Sequence, residues 1–523
     1  MSGNLTKNPV VRVLFVLLLL FIAVVIVAQV TAKRAVADFL ERKLPHHVRL
    51  KYENMDANVL SGTIGLRDIT LDFYDRDSML LNTKVTMDAI TLENLGYWDF
   101  LVNSKIDVRR LLLERPQMRH YPYRVLPKKD NETEGVVQLL KVISIQELSV
   151  RNGSLDLLRD DKDSTAVALR NLNFIVENAS TGPDQIVKKI PVDYGNYELT
   201  ADSLYVNLGP YEKLDVATLL WNREAAKITG LQLRSKYDKI ALSKHLMKER
   251  DHVDLTIREM RLDSIRFGFE KDTFFIATGK GMIDKPALEL YRDKFVADDE
   301  TKKPLYSQSI RQLPIHIDVP EIEIVNGKVV YSELVADIPN PGKLSFEKLN
   351  ATLSNISNTY PPGENTLIKA NTKFMGEADM TLDWSFDVNR TSDAFFASGT
   401  VSNFNTASIN PFLESNARVK ASGSIDQLYF TINGNSISSS GDMKMNYRDF
   451  RFQVLKKNRL GINKVLTTIG NLFVDDGSKT DEEGFRYGSI SAERDATKSF
   501  FSYLWLNVRN GTLSTLTGDG EKD

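Results

Sequence analysis

The residues of this chain whose types could do chemistry are six histidines, carboxylate pairs such as Asp160/Asp161 and Asp298/Asp299, and one Gly-Lys-Gly. Histidines and carboxylates could hold zinc or exchange protons, and glycines beside a lysine could cradle a phosphate. Their spacings argue against each. His46 and His47 are neighbours, while His120, His245, His252 and His316 are scattered, so none falls in H-E-x-x-H or another metal spacing. His316 stands between Ile315 and Ile317, which puts it on the wet side of a strand. Asp160/Asp161 and Asp298/Asp299 lie in polar stretches with no apolar pocket to tune a carboxyl. Gly279-Lys280-Gly281 lacks the third glycine of a dinucleotide fingerprint and reads as a turn. The acidic run DDGSKTDEEG from Asp475 to Gly484 departs from the calcium-loop pattern and reads as a solvated loop. Zero cysteines exclude disulfides, thiolate catalysis and Cys-based metal centres, and suit an oxidising compartment such as a periplasm. A net charge of -2 gives no field that would gather nucleic acid. The chain is therefore read as a non-enzyme with no catalytic, cofactor or metal site and no nucleic-acid partner.

The elements around these residues are more telling. Val13 to Ala32 is an uncharged run rich in Leu, Val and Ile, without a counterpart elsewhere. Twenty helical residues reach roughly 30 Å, the thickness of a hydrocarbon core, so the run predicts one membrane span. It is longer than the apolar part of a signal peptide, and Ala28-Gln29-Val30 is a poor cleavage site, so a retained anchor is expected. Flanking charges do not decide the orientation, because Lys7 and Arg12 precede the run while Lys33, Arg34, Arg42 and Lys43 follow it. Ala35, Val36, Phe39, Leu40 and Leu44 continue at helical spacing until Pro45, predicting a short neck.

From Val48 the period changes to two. Ala378, Met380, Leu382, Trp384, Phe386 and Val388 alternate with Asp379, Thr381, Asp383, Ser385 and Asp387. Strands with one apolar face belong to antiparallel sheets wetted on the other. In Met443, Met445, Tyr447 and then Phe450, Phe452, Val454 the phase slips by one at Asp449, which reads as a bulge or bend. Repetition adds to this: VPEIEIVNGKVVY (Val319 to Tyr331) aligns with IQELSVRNGSLDL (Ile145 to Leu157), followed by EKLNATLSNIS and RNLNFIVENAS, and LNVRNGTL (Leu506 to Leu513) looks like a third copy. Asn-Gly between alternating apolar residues predicts hairpin turns. Helices are expected only in the neck, near Val136 to Leu140, Leu214 to Glu224 and Leu242 to Glu249, and amphipathically after Leu460, which is too few to cover the sheet. The apolar faces then need a second sheet or a lipid to cover them. With about 20 to 30 strands at ~4.8 Å spacing, a single sheet would be on the order of 100 to 140 Å long.

At this point the chain resembles a family. The single span, the neck, LSGTIGLRDITLDF at Leu60 to Phe73, the repeated strand modules, the run from NPFLESNARVK to NYRDFRFQVL and the tail ERDATKSFFSYLWLNVRNGTLSTLTG at Glu493 to Gly518 are similar to AsmA-like envelope proteins, the tail to those of Bacteroidota-type bacteria. The resemblance covers most of the chain and is weakest from about Asp184 to Lys302. It implies an inner-membrane, single-pass protein whose bulk lies in the periplasm, related to repeating β-groove proteins that transfer phospholipid or another acyl lipid toward the outer membrane. The expected fold is mostly β: one N-terminal transmembrane helix, then an elongated antiparallel β-sheet curled into a groove, with a few short helices. The expected organisation is a cytoplasmic N-terminus (1–12), the span (13–32), the neck (33–45), N-terminal, middle and C-terminal β-modules (46–181, 182–313 and 314–456), and a tail with an amphipathic helix and the acidic loop (457–523). By strand phase, Met380, Leu382, Trp384, Phe386, Leu428, Phe430, Met443 and Met445 are expected to line the groove. A membrane-tethered envelope scaffold or assembly factor without lipid cargo, binding envelope proteins, stays open as the alternative. An enzyme would need a convergent polar pocket.

Overall fold

A computed structural model describes residues 20–518, apart from 39–43, 97–104, 125–141, 160–163, 336–339, most of 457–479 and isolated positions elsewhere. The described residues are mostly strand, gathered in one large sheet, with one apolar helix near the N-terminus and a few others, mostly short. Helix α1 (Leu20–Asp38) is long and apolar enough to cross a membrane. Leu20, Phe21, Ile26 and Val27 expose 56 to 64% of their surface. Its C-terminal end rests on protein, with Val36 and Ala37 against Met55, Leu66, Ile69 and Met87. The expected helices at Val136 to Leu140 and after Leu460 fall wholly or mainly outside the described residues.

The strands in chain order are β1 (Val48–Lys51), β2 (Asn54–Asn58), β3 (Thr63–Tyr74), β4 (Leu81–Glu93), β5 (Lys105–Glu114), β6 (Gln117–His120), β7 (Val142–Leu158), β8 (Thr165–Thr181), β9 (Tyr197–Ala201), β10 (Ser203–Asn207), β11 (Glu212–Val216), β12 (Thr218–Asn222) and β13 (Ala225–Ser235). After helix α2 (Lys239–His245) come β14 (His252–Asp263), β15 (Arg266–Glu270), β16 (Thr273–Ala277), β17 (Lys280–Asp284), β18 (Ala287–Asp293), helix α3 (Tyr306–Arg311), β19 (His316–Leu334), β20 (Gly342–Ser357), β21 (Asn365–Phe374), β22 (Ala378–Asp387) and β23 (Phe395–Asn405). Helix α4 (Asn410–Asn416), β24 (Val419–Gly434), β25 (Ser438–Val454), β26 (Arg486–Glu493) and helix α5 (Phe500–Thr517) follow among the described residues.

Two compact units are present, one of residues 1–207 with 217–223 and one of residues 208–216 with 224–523. In unit 1, β3 pairs with β1, β2 and β4, and β4 pairs with β5 and β6. Strand β7 lies parallel to β5 and β6 and antiparallel to β8, and β8 pairs with β9 and β10. Unit 2 uses the same device: β19 lies parallel to β16, β17 and β18 and antiparallel to β20, after which an antiparallel meander runs to β26. The antiparallel expectation thus holds for most pairings, with a parallel seam in each unit.

The repeat seen in the sequence is these two long strands. Their Asn-Gly pairs, however, do not turn the chain, as the hairpin reading expected. Asn152 and Asn326 each have φ of 52° and lie inside strands of 17 and 19 residues, where they make bulges. The two sites match atom for atom. The Asn152 and Asn326 N–H groups donate to the side chains of Asn173 and Asn350, each at 3.0 Å. Ser154 and Lys328 donate to the carbonyls of Pro116 and Pro286, each at 2.7 Å. A Cβ on Gly153 or Gly327 would lie 3.3 or 3.1 Å from the ring of the same proline. The prolines break the parallel neighbour into short strands, and the bulge follows that break. The supposed third copy is different again, since Asn510-Gly511 lies inside helix α5.

Leu214 to Glu224, expected as a helix, is instead β11 and β12, because Leu214 and Val216, then Leu219 and Trp221, alternate, and Leu214 finds its partner in β13 while Leu219 and Trp221 find theirs in β9. Only the start of Leu242 to Glu249 is helical, in α2, which ends at the Leu246 cap. Lys280 and Gly281 belong to β17 and are not a turn, and a Cβ on Gly281 would meet Leu262 at 2.9 Å. The slip expected at Asp449 coincides with a φ of 52° inside β25.

Candidate functional site

Residues opposed in register point to the same face, so the ladder shows which side chains share a surface. In unit 1, Leu66, Ile90, Leu113, Val150, Phe174, Leu199 and Trp221 form one unbroken apolar row across seven strands, each the register partner of the next. Only Leu66 is buried, and the other six are half-buried. Unit 2 carries a longer row: Ile228, Met260, Ile283, Ile324, Ala351, Ala370, Leu382, Gly399, Phe430, Met443 and Gly488. The bulges keep these rows intact. On this face β19 places Ile322, Ile324, Gly327, Val329 and Tyr331, and the three-residue step falls where Asn326 takes its positive φ. Without that step the second half of the strand would turn its apolar side chains to the opposite face.

All eight residues expected to line a groove share this face: Leu382, Phe430 and Met443 lie in this row, Met380, Leu428 and Met445 align in the next, and Trp384 and Phe386 stand beside them on β22. Their surroundings divide them. Met380 and Leu382 are half-buried, whereas Trp384, Phe386, Leu428, Phe430, Met443 and Met445 are 0 to 9% exposed. They lie in a core closed by α3, α4 and α5. Phe500 of α5 stacks on Trp384 at 4.2 Å, Tyr306 of α3 meets the same indole edge-on at 5.4 Å, and Phe412 of α4 meets Trp505 of α5 at 5.5 Å. Along this row the face of unit 2 is therefore half-exposed from β13 to β21 apart from Ala351 and covered from β23 to β26, with β22 at the boundary.

Helix α5 is the element that the alternating reading misses. Its sheet-facing seam is Phe500, Tyr503, Asn507, Gly511 and Thr515, spaced by three and four residues. Three of these are small or polar, so hydrophobic periodicity is faint. The available signals are the caps: Ser499 accepts from the Ser502 N–H, and Gly518 closes the helix at φ of 81°.

The segment before α5 is held by charge. Glu249, whose side chain is 1% exposed, accepts from Lys294 at 2.6 Å and Lys498 at 3.3 Å, with Arg292 at 3.9 Å. Burial opposes ionisation of this carboxyl, but the three cations outweigh it and hold its pKa below the usual range. Lys303 adds two bonds to the same segment, from its N–H to the Ala496 carbonyl at 2.8 Å and from Nζ to the Thr497 carbonyl at 2.9 Å. On α3, Arg311 and Ser307 both donate to Asp393, at 2.8 and 2.9 Å, tying that helix to the β22–β23 turn. These are anchoring networks.

Asp298 and Asp299 behave as the sequence suggests, exposed to or bound by Lys498 and Lys303 in a loop. Thr301, donating from its hydroxyl and its backbone N–H, holds the Asp299 carboxyl below its ordinary range. Among the described residues no group of His, Asp and Glu side chains is arranged to hold a metal ion. No family model matches the chain, and no curated protein matches it.

Proposed function

We propose that this is a membrane-anchored lipid-binding and transfer protein, held by α1 and carrying acyl chains along the apolar face of its sheet. The observation that carries this reading is the pair of unbroken rows, half-exposed across six strands of unit 1 and from β13 to β22 of unit 2 apart from Ala351. Half-exposed Leu, Ile, Val, Phe and Met on a continuous surface within each unit is costly in water, and each acyl methylene laid on it gains about 0.8 kcal/mol. Headgroups would stay wet, and no covalent step is required. The resemblance to AsmA-like envelope proteins leads us further, to an inner-membrane anchor, a periplasmic sheet and a role in supplying phospholipid for the outer membrane.

The test is photocrosslinking of the full chain in cells labelled with radioactive phosphate. Benzoyl-phenylalanine at Ile283 or Ile324, on the apolar face, should capture phospholipid, while the same group at Lys369 or Asp383, exposed on the other face, should not. Equal capture at all four positions, or none, overturns the proposal. A tethered scaffold without cargo is the second reading, favoured by the dry core under α3, α4 and α5, and capture of protein alone at Ile324 would select it.

A further inference from the structure

The apolar row of unit 2 does not end where its exposure ends. From Ile228 to Leu382 it crosses six strand spacings, roughly 29 Å at ~4.8 Å each. A hydrocarbon core of about 30 Å holds two acyl chains end to end, so the open stretch matches about two chain lengths. Beyond it, Phe430 and Met443 offer the same chemistry, but α5 lies on them.

The seat of α5 is unlike the rest of that core. A Cβ on Gly511 would lie 2.7 Å from Ile490 and 2.9 Å from Met443, and one on Gly488 would collide with Thr515, so beyond the Phe500 and Tyr503 rings helix and sheet meet through glycines. The bonds across the seam are polar. Asn507 accepts from the Ser439 hydroxyl at 2.7 Å, Ser514 Oγ accepts from the Ser489 N–H at 3.0 Å, and Asn510 donates to the Ser491 carbonyl at 2.8 Å. Such groups regain partners from water when parted, so each of these bonds adds only modestly to adhesion. The outer side of α5 carries apolar residues as well: Phe501 and Leu513 are 56 and 53% exposed, beside Ser502, Thr517 and Arg509, the one charged residue in the helix. A helix with apolar residues on both sides suits exchange between a protein face and a lipid one. The Lys498 and Lys303 contacts hold its N-terminal end, while among the described residues the rest has no comparable ionic tie.

We propose that α5 is a displaceable plug in the lipid path: it occupies the stretch of apolar face on β23 to β26, and acyl chains pass there only when it lifts about the segment 494–499. This rests on the lipid-transfer reading above.

The chain has no cysteine, and the Ser489 and Ser514 hydroxyl oxygens are 3.4 Å apart, so S489C/S514C places one disulfide between β26 and α5. The full-length variant, reconstituted in vesicles containing a fluorescent phosphatidylethanolamine, is assayed for transfer to acceptor vesicles, with crosslinking from benzoyl-phenylalanine at Ile324 as the loading readout. With the disulfide formed, loading at Ile324 should persist while transfer falls at least tenfold, and reduction should restore it; S514C alone should respond to neither treatment. Persisting loading with equal transfer in both states overturns the plug and leaves lipid binding intact. Absence of lipid at Ile324 in either state overturns the lipid reading and this proposal with it.

Discussion

At the residue scale, two glycines and one carboxylate are decisive. Gly511 and Gly488 set how closely α5 meets the sheet, so Gly511→Leu forces the helix off Ile490 and Met443. Overpacking of this kind costs about 1–3 kcal/mol, read as a lower denaturation midpoint in urea. Glu249→Gln leaves Lys294, Arg292 and Lys498 without their shared anion, and should cost about 3 kcal/mol at neutral pH, the low end for a broken buried pair because the cations stay partly wet. The folded state holds the Glu249 proton more weakly than the unfolded chain does. Its contribution is therefore complete above the ordinary glutamate pKa of about 4.3 and fades as pH falls through the lower folded value. The variant should show a flatter loss of stability in that acid range in pH-dependent melting. Neither feature is legible in the sequence: Gly511 looks like half of a hairpin signal, and Glu249 is about 250 positions from Lys498.

At the scale of elements, the repeat was legible and its geometry was not. The local phrase Asn-Gly asks only for backbone at positive φ, which a two-residue turn and a bulge in a long strand both supply. What selects the bulge is the neighbouring strand broken at Pro116 or Pro286, far away in sequence. Asn326→Gly should therefore be tolerated within a few tenths of a kcal/mol, whereas Asn326→Val, a β-branched residue held at φ of 52°, should lose about 1–2 kcal/mol in equilibrium unfolding. Deleting Asn326 removes the step that keeps Val329 and Tyr331 with Ile322 and Ile324. That variant should be cut rapidly within β19 and β20 in limited proteolysis, while wild type resists. Helix α5 went unread for a related reason, since its seam is built for close approach and carries few large apolar residues.

At the scale of the whole molecule, burial decides which apolar residues are free to bind anything. Ile324→Asp, at a half-buried position, should leave the circular dichroism spectrum and melting close to wild type while abolishing phospholipid capture from a crosslinker at Ile283. Phe430→Asp, at 3% exposure inside the core closed by α5, should prevent folding, because nothing there pairs a buried carboxylate. Strand phase treats Leu382 and Phe430 alike, since alternation reports the face and is blind to what covers it. The sequence by itself determined the apolar helix at the start, the predominance of strands, the apolar face of each and the duplication of the long strand, because these follow from local composition and period. Tertiary structure alone decided that Asn-Gly bends a strand without reversing it, that parallel seams flank β7 and β19, and that one stretch of the apolar face is closed by a C-terminal helix while another is left half-open. Those outcomes depend on contacts between residues distant in the chain, on which local periodicity is silent.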